Sequence, residues 1–129
     1  MLFKFMKKIL TFFILLISTY SFAADYKSNF NIEEFKSAQN DGKVVVIHSW
    51  NKFCTTCAKQ KPILEKAKKD FQNVIFMNFE QTANKDIANL LKINFWTTIV
   101  VYKDNKELAR EIGLYNKEDI YNLIKKGIF

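Results

Sequence analysis

Hydrophobic and polar residues alternate along the chain in a way that predicts both strands and helices. The runs "KVVVIHSW" (residues 43–50) and "NVIFMNF" (residues 73–79) are apolar and rich in β-branched or aromatic residues, which is typical of strands buried on both faces. A third run, "TTIVVYKDNKELAREIG" (residues 97–113), indicates two strands joined by a tight turn at Asp104 and Asn105, residue types that tolerate such turns.

Helical spacing of apolar residues separates these strands. Asn31 and Asn116 are suitable N-terminal caps for the first and last helices. Four helices are predicted, at residues 31–39, 54–69, 84–92 and 116–126. Pro62 falls inside the second of them, where it removes one backbone hydrogen bond.

The order of these elements predicts an α/β fold. A strand, a crossover helix and a second strand require parallel pairing, whereas the hairpin near the C-terminus adds an antiparallel pair. We therefore expect one mixed sheet of four to five strands with helices on both faces. The fifth strand would be a short segment at residues 26–30, which precedes the first helix.

The first 23 residues have the features of an export signal and not of the folded domain. Lys4, Lys7 and Lys8 precede the apolar run at residues 9–17, and smaller residues follow up to Ala23, the order found in secretory signal peptides. We predict cleavage after Ala23, which leaves a domain at residues 24–129. The alternative is an uncleaved membrane anchor, although the apolar run is shorter than the roughly 20 residues that a spanning helix needs.

Composition narrows the class of protein. The chain has 129 residues, of which 49% are hydrophobic, enough for one compact domain. Removal of the three signal lysines leaves 17 basic residues against 13 acidic ones, a net charge of +4. These charges are mixed in sequence, which argues against a nucleic-acid partner.

The two cysteines, Cys54 and Cys57, stand in the motif "FCTTCAKQKP". Cys54 lies where a strand ends and a helix begins, so free amides and the helix dipole favour its thiolate, and Cys57 follows one turn later. A structural disulfide is disfavoured because it would close a very short loop. A zinc site lacks a fourth soft ligand, since the chain has one histidine, His48. A redox pair is the favoured interpretation; metal binding or delivery by Cys54, Cys57 and His48 stays open as the alternative.

Several features in order resemble a thioredoxin over residues 26–126. They are a strand ending in Trp50, the aromatic Phe53 before C-x-x-C, Pro62 five residues after Cys57, and the "IVVYKDN" strand and turn. The resemblance implies the thioredoxin fold and thiol-disulfide oxidoreductase chemistry. It further implies that Cys54 attacks, that Cys57 resolves, and that their disulfide is the redox group, with no other cofactor.

Three departures from the thioredoxin pattern affect the expected chemistry. Thr55 and Thr56 replace the usual Gly-Pro between the cysteines, which should change the redox potential. His48 stands where thioredoxins carry a buried acid; it is either a core residue or a proton carrier, because imidazole titrates near neutral pH. Thr97 replaces the cis-proline, and we expect a trans peptide there because a cis bond before threonine is costly.

The expected function follows from the motif and the signal together. We expect a periplasmic oxidoreductase that reduces disulfides of exported proteins, receives electrons from a membrane donor and works as a monomer. The predicted substrate-binding residues are Trp50, Phe53, Trp96 and Thr97. Flat apolar side chains such as Phe53 suit an extended protein substrate, whereas Trp96 is equally compatible with a place in the core.

Overall fold

A computed structural model describes residues 26–129. The predicted export signal and its cleavage site lie outside these residues. The described chain forms four helices and four strands. In chain order they are α1 (Ile32–Asn40), β1 (Val45–Trp50), α2 (Thr55–Asp70), β2 (Ile75–Glu80), α3 (Lys85–Leu91), β3 (Thr98–Lys103), β4 (Lys106–Ile112) and α4 (Lys117–Lys125).

The four strands form one mixed sheet in the order β2-β1-β3-β4. Strand β1 pairs in parallel with β2, while β1 with β3 and β3 with β4 are antiparallel. The parallel pair is joined through α2, and the antiparallel hairpin turns at Asp104 and Asn105, which both have positive φ. The predicted α/β architecture with a central mixed sheet is therefore confirmed.

Each face of the sheet carries its own hydrophobic core. Val46 of β1 points to the face covered by α2 and α4, where it packs with Leu64 and Ile124. Its neighbours Val45 and Ile47 point to the opposite face, which α1 and α3 cover. This alternation is the period-2 geometry of a strand, and it explains why residues 44–47 are apolar without interruption. It also directs His48 towards α2.

The segment at residues 26–30 does not form the additional strand that its sequence suggested. The segment lies along the edge of β2, but its side-chain oxygens accept hydrogen bonds from the β2 amides to which the backbone of a neighbouring strand would bond. The Asn29 Oδ1 atom accepts from the Asn78 amide at 2.7 Å, and the Ser28 hydroxyl accepts from the Glu80 amide at 2.7 Å. Polar residues that bond locally to backbone compete with regular ladders, so the sheet has four strands.

The helix starts agree with the capping residues predicted from sequence. The Asn31 side chain accepts from the Glu34 amide, and the Asn116 side chain accepts from the Asp119 amide, each at 2.9 Å. Pro62 lies inside α2. No helix among residues 26–129 has the length and apolar character needed to cross a bilayer.

Candidate active site

The two cysteines form a disulfide at the start of α2. Cys54 is the N-terminal cap of this helix, and its sulfur accepts a hydrogen bond from the Cys57 amide at 3.1 Å. Cys54 is partly exposed, whereas Cys57 is only 4% exposed. The first sulfur can therefore be reached from outside while the second lies behind it.

The loop that leads into Cys54 is fixed by Asn51, a buried residue that sequence reasoning missed. Its side-chain oxygen accepts from the Phe53 amide at 2.9 Å, and its side-chain nitrogen donates to the Glu80 carboxylate at 2.6 Å. Burial opposes the charged form of Glu80, but hydrogen bonds from Thr82, Ala83 and Asn51 together hold its pKa below the usual value. A charged, well-bonded Glu80 therefore anchors the loop beside the disulfide.

Two grooves of about 370 Å³ each open beside Cys54. We call the first the Tyr26 groove; it is lined by Tyr26, Trp50, Asn51, Lys52, Cys54, Cys57, Ala58 and Lys61. We call the second the Thr97 groove; it is lined by Cys54, Asn94, Phe95, Trp96, Thr97 and Ile112. Cys54 contributes to both, so each groove gives access to the sulfur that caps α2.

The predicted aromatic residues lie around the disulfide in different environments. Trp50 is half-buried in the Tyr26 groove, where its indole N–H donates to the Asn78 side chain at 2.8 Å and its ring contacts Tyr26. Phe53 is 80% exposed, and Trp96 is 40% exposed in the wall of the Thr97 groove. Phe53 and Trp96 thus present apolar surface next to Cys54, and Trp96 is not a core residue.

Thr97 faces Cys54 across its groove through an unusual backbone. No cis peptide bond occurs among residues 26–129, and Thr97 has a φ of 63°, a left-handed conformation that is rare for a β-branched residue. Its N–H donates to the Ser49 carbonyl at 2.9 Å, and its own carbonyl accepts from the Gly113 amide at 3.2 Å. The peptide is trans, as expected from sequence, and the groove wall is built on this strained residue.

His48 is 2% exposed and is hydrogen-bonded through both ring nitrogens. Nδ1 lies 3.2 Å from the Tyr26 hydroxyl, and Nε2 lies 2.9 Å from Oε1 of Gln60. Gln60 in turn donates through its amide nitrogen to the carbonyls of Thr97 (3.1 Å) and Leu114 (2.7 Å). A carboxamide that donates to two carbonyls must present its oxygen to His48, so Nε2 carries the proton and Nδ1 accepts from Tyr26.

This environment changes the titration expected of His48. Burial, only partly opposed by the Gln60 hydrogen bond, lowers the pKa of His48 to about 4. The imidazole is therefore neutral at physiological pH in the oxidised protein, in contrast to the titration near pH 7 assumed from sequence. Burial also raises the pKa of Tyr26 well above its usual value, with a smaller effect from Glu65, so the Tyr26 hydroxyl keeps its proton.

Gln60 and Tyr26 were not singled out by sequence reasoning. A signal for Gln60 was present, since Cys57, Gln60, Leu64 and Ala67 recur at helical spacing and are the buried residues of α2. A polar residue within such a buried stripe needs partners. Tyr26 precedes the first element and carried no periodic signal.

The arrangement does not support the metal-binding alternative. Within residues 26–129, no three His, Cys, Asp or Glu side chains form a group that could hold a metal ion. Cys54 and Cys57 are bonded to each other, and both nitrogens of His48 have hydrogen-bonding partners. The geometry is that of a disulfide with one accessible sulfur at a helix start, the arrangement required for thiol-disulfide exchange.

Comparison with known proteins identifies the family. The family model described as thioredoxin matches residues 26–126. The chain is 29% identical over 100 residues to the thioredoxin of Coprinus comatus, covering 76% of this chain and 93% of that protein. It is 30% identical over 94 residues to the thioredoxin of Chlamydia pneumoniae, covering 73% and 91% respectively. The chain belongs to the thioredoxin family and is a protein-disulfide oxidoreductase.

Solved structures of low sequence identity share the fold. Trxlp from Edwardsiella tarda superposes with a TM-score of 0.71 at 16% identity, over 77% of this chain and 98% of that one. The thioredoxin of Fasciola hepatica superposes with a TM-score of 0.66 at 22% identity, over 74% and 93%. The mixed sheet with its helices is thus a thioredoxin fold.

Proposed function

We propose that the protein is exported to the periplasm and reduces disulfides of other exported proteins, with Cys54 as the attacking and Cys57 as the resolving cysteine. The observation that carries these roles is the unequal exposure of the two sulfurs. Cys54 is partly exposed between two grooves, whereas Cys57 is 4% exposed. Only the first is accessible to a disulfide on another protein.

The chemistry proceeds by two exchanges. The Cys54 thiolate attacks one sulfur of the substrate disulfide, which forms a mixed disulfide and releases the other substrate sulfur as a thiolate that takes up a proton. Cys57 then loses its proton and attacks the Cys54 sulfur. This second exchange releases the reduced substrate and forms the Cys54–Cys57 disulfide. The helix-capping amide of Cys57, 3.1 Å from the Cys54 sulfur, stabilises negative charge on Cys54 in the thiolate forms.

Substrate contact is assigned to the exposed apolar side chains around Cys54. Phe53 directly precedes Cys54 in the chain and is exposed, and Trp96 and Thr97 line the Thr97 groove. Exposed aromatic residues of this kind favour contact with an apolar, extended segment of a partner. Trp50 is held by Asn78 and Tyr26 and lines the Tyr26 groove, so it shapes the site from the other side.

The proposed location and electron source rest on the sequence. The N-terminal segment has the order of a secretory signal, and an exported thiol pair that acts as a reductant needs electrons delivered across the membrane. We therefore infer a membrane-bound thiol donor. Apart from the redox-active disulfide, the reaction as written needs no cofactor, and a monomer suffices because both cysteines come from one chain.

Expression of the full chain in a Gram-negative host tests this proposal. After fractionation, the mature protein should be periplasmic and begin at Ala24, and acid-trapping with an alkylating agent should find the cysteine pair largely reduced. A chain retained in the cytoplasm would contradict the proposed location. A periplasmic chain whose cysteines are fully oxidised would contradict the proposed reductive direction.

A further inference from the structure

The Thr97 groove is bounded by segments that belong to different parts of the chain. One side is the start of α2 at Cys54, and the other is formed by the loop at residues 92–97, which we call the Thr97 loop, and by the end of β4 at Ile112. Directly after β4 comes a second loop, residues 113–116, which we call the Leu114 loop. The groove therefore lies between the start of α2 on one side and the Thr97 loop and the end of β4 on the other.

Gln60 is the side chain of α2 that bonds to both the Thr97 loop and the Leu114 loop. It is fully buried, lies two turns into the helix that Cys54 caps, and donates to a carbonyl of each loop. Its donor atom is 3.1 Å from the Thr97 carbonyl and 2.7 Å from the Leu114 carbonyl. One carboxamide thus joins the helix that carries the attacking sulfur to both loops opposite it.

A hydrogen bond from His48 fixes the orientation of the Gln60 carboxamide. Oε1 of Gln60 accepts from Nε2 of His48 at 2.9 Å, and His48 in turn contacts the Tyr26 hydroxyl. With Oε1 held by His48, the amide nitrogen can only face the two carbonyls. Every polar atom in this buried chain therefore has a partner; satisfied buried networks of this kind are rigid.

We propose that Gln60 is a positioning residue that sets the width of the Thr97 groove and thereby the fit of an extended protein substrate beside Cys54. This inference rests on the proposed role of the Thr97 groove in substrate binding. Gln60 is behind the groove and is not among its lining residues, so it acts through the Thr97 and Leu114 loops. A small disulfide that reaches the partly exposed Cys54 sulfur does not have to fit along the Thr97 groove, so its reduction does not depend on the width of that groove.

Gln60→Met tests this role because methionine is similarly long and flexible but cannot donate to the two carbonyls. Gln39→Met is the matched control. Gln39 is also a buried glutamine that ties two loops, since it donates to the Lys43 carbonyl and accepts from the Asn105 amide. Its partners lie at the opposite ends of β1 and β3 from the disulfide.

Both variants are assayed against insulin and against the small disulfide 5,5′-dithiobis(2-nitrobenzoate). For Gln60→Met we expect kcat/KM on insulin to fall about tenfold, mostly through a higher KM, and activity on the small disulfide to stay within about twofold. A tenfold loss corresponds to about 1.4 kcal/mol, in the range of one neutral hydrogen bond. Gln39→Met should lower the free energy of unfolding, but it should affect the activities on insulin and on the small disulfide equally. Equal losses on both substrates in Gln60→Met, or no loss, would overturn the proposal.

If Gln60→Met does not fold, a measurement on the wild-type protein tests the bonds from Gln60 to the two loops, on which the proposal depends. The side-chain amide protons of Gln60 should exchange with solvent at least about tenfold more slowly than those of the exposed Gln72, because Gln60 is buried and its amide is bonded to two carbonyls. Equal exchange rates would overturn the proposed positioning role.

The outcomes for Gln60 are separate from those for the proposed function. Wild-type protein that reduces insulin, together with an unaffected Gln60→Met variant, refutes only the positioning role. Wild-type protein that oxidises dithiols but does not reduce insulin refutes the reductive direction. In that case Gln60→Met and wild-type protein are compared as oxidants of a reduced protein and of a small thiol. A loss confined to the reduced protein would then support the positioning role of Gln60, and equal losses would overturn it.

Discussion

Acidification should destabilise the oxidised protein through His48, and replacement by asparagine should remove this effect. Burial lowers the pKa of His48 from 6.5 to about 4 in the folded state. Between these two values the unfolded chain binds a proton that the folded protein does not, so stability falls as the pH drops from 6.5 towards 4. The difference of about 2.5 pKa units corresponds to about 3 kcal/mol lost by pH 4.

The assay is urea unfolding of oxidised wild-type protein and of His48→Asn at pH 7, 6, 5 and 4. At pH 7 the variant should be less stable by about 1 to 3 kcal/mol, because asparagine does not reach both Tyr26 and Gln60. Towards pH 4 the wild-type protein should lose about 3 kcal/mol more than the variant, so the gap should close or change sign. Carboxylates with lowered pKa values, such as Glu80, also lose stability in acid, but they do so in both proteins and cancel in the difference. A gap that stays constant from pH 7 to pH 4 would refute the buried, neutral state of His48.

The low pKa of His48 also changes its expected effect on activity. With a pKa near 4, the imidazole does not change charge between pH 5 and 8. We therefore expect His48→Asn to leave the shape of the pH-rate profile unchanged in that range, although the rate itself falls if His48 helps to remove the Cys57 proton. A profile that flattens between pH 5 and 8 in the variant would restore the titrating role inferred from sequence.

The remaining predictions concern the cysteines and the residues around them. After reduction, Cys54 should react first with iodoacetamide because its thiolate is stabilised at the helix start; faster labelling of Cys57 would contradict the assigned roles. Cys57→Ser should accumulate mixed disulfides with substrates, whereas Cys54→Ser should trap none. Thr97→Gly should stabilise the protein by about 1 kcal/mol in urea unfolding because glycine accepts positive φ, and an equal loss would contradict the strain at Thr97. Thr97→Pro should lose the hydrogen bond to Ser49 and force φ from 63° to about −65°. Insulin reduction should change while the fold survives, which circular dichroism checks. Phe53→Ala should raise the KM for insulin several-fold without changing stability, since this ring is 80% exposed; an unchanged KM would remove Phe53 from the substrate surface.

The fold was predictable because each element carries a local signal. The apolar run at residues 44–47 reflects burial by helices on both faces, and Asn31 and Asn116 mark helix starts through a local hydrogen bond. Asp104 and Asn105 allow the positive φ values of the hairpin turn. These interactions join residues close in sequence, so a pattern in the chain is sufficient to find them.

Other parts of the site depend on contacts between distant segments. Gln60 bonds to Thr97 and Leu114, which are 37 and 54 residues away. His48 bonds to the hydroxyl of Tyr26, which lies 22 residues earlier in the chain. No periodic pattern encodes such partners, and the lowered pKa of His48 follows from them and from burial. The segment at residues 26–30 was wrongly predicted as a strand: it lies beside β2, but the Ser28 and Asn29 side chains bond to the β2 amides that a regular strand would pair with.

The reduction potential of the Cys54–Cys57 pair tests the proposed reductive role most directly. The protein is equilibrated with mixtures of reduced and oxidised glutathione, and the fraction of free thiol is measured after acid quenching. We predict a potential close to that of reducing thioredoxins, about −270 mV. A potential near −120 mV, the value of a strong periplasmic oxidant, would contradict it.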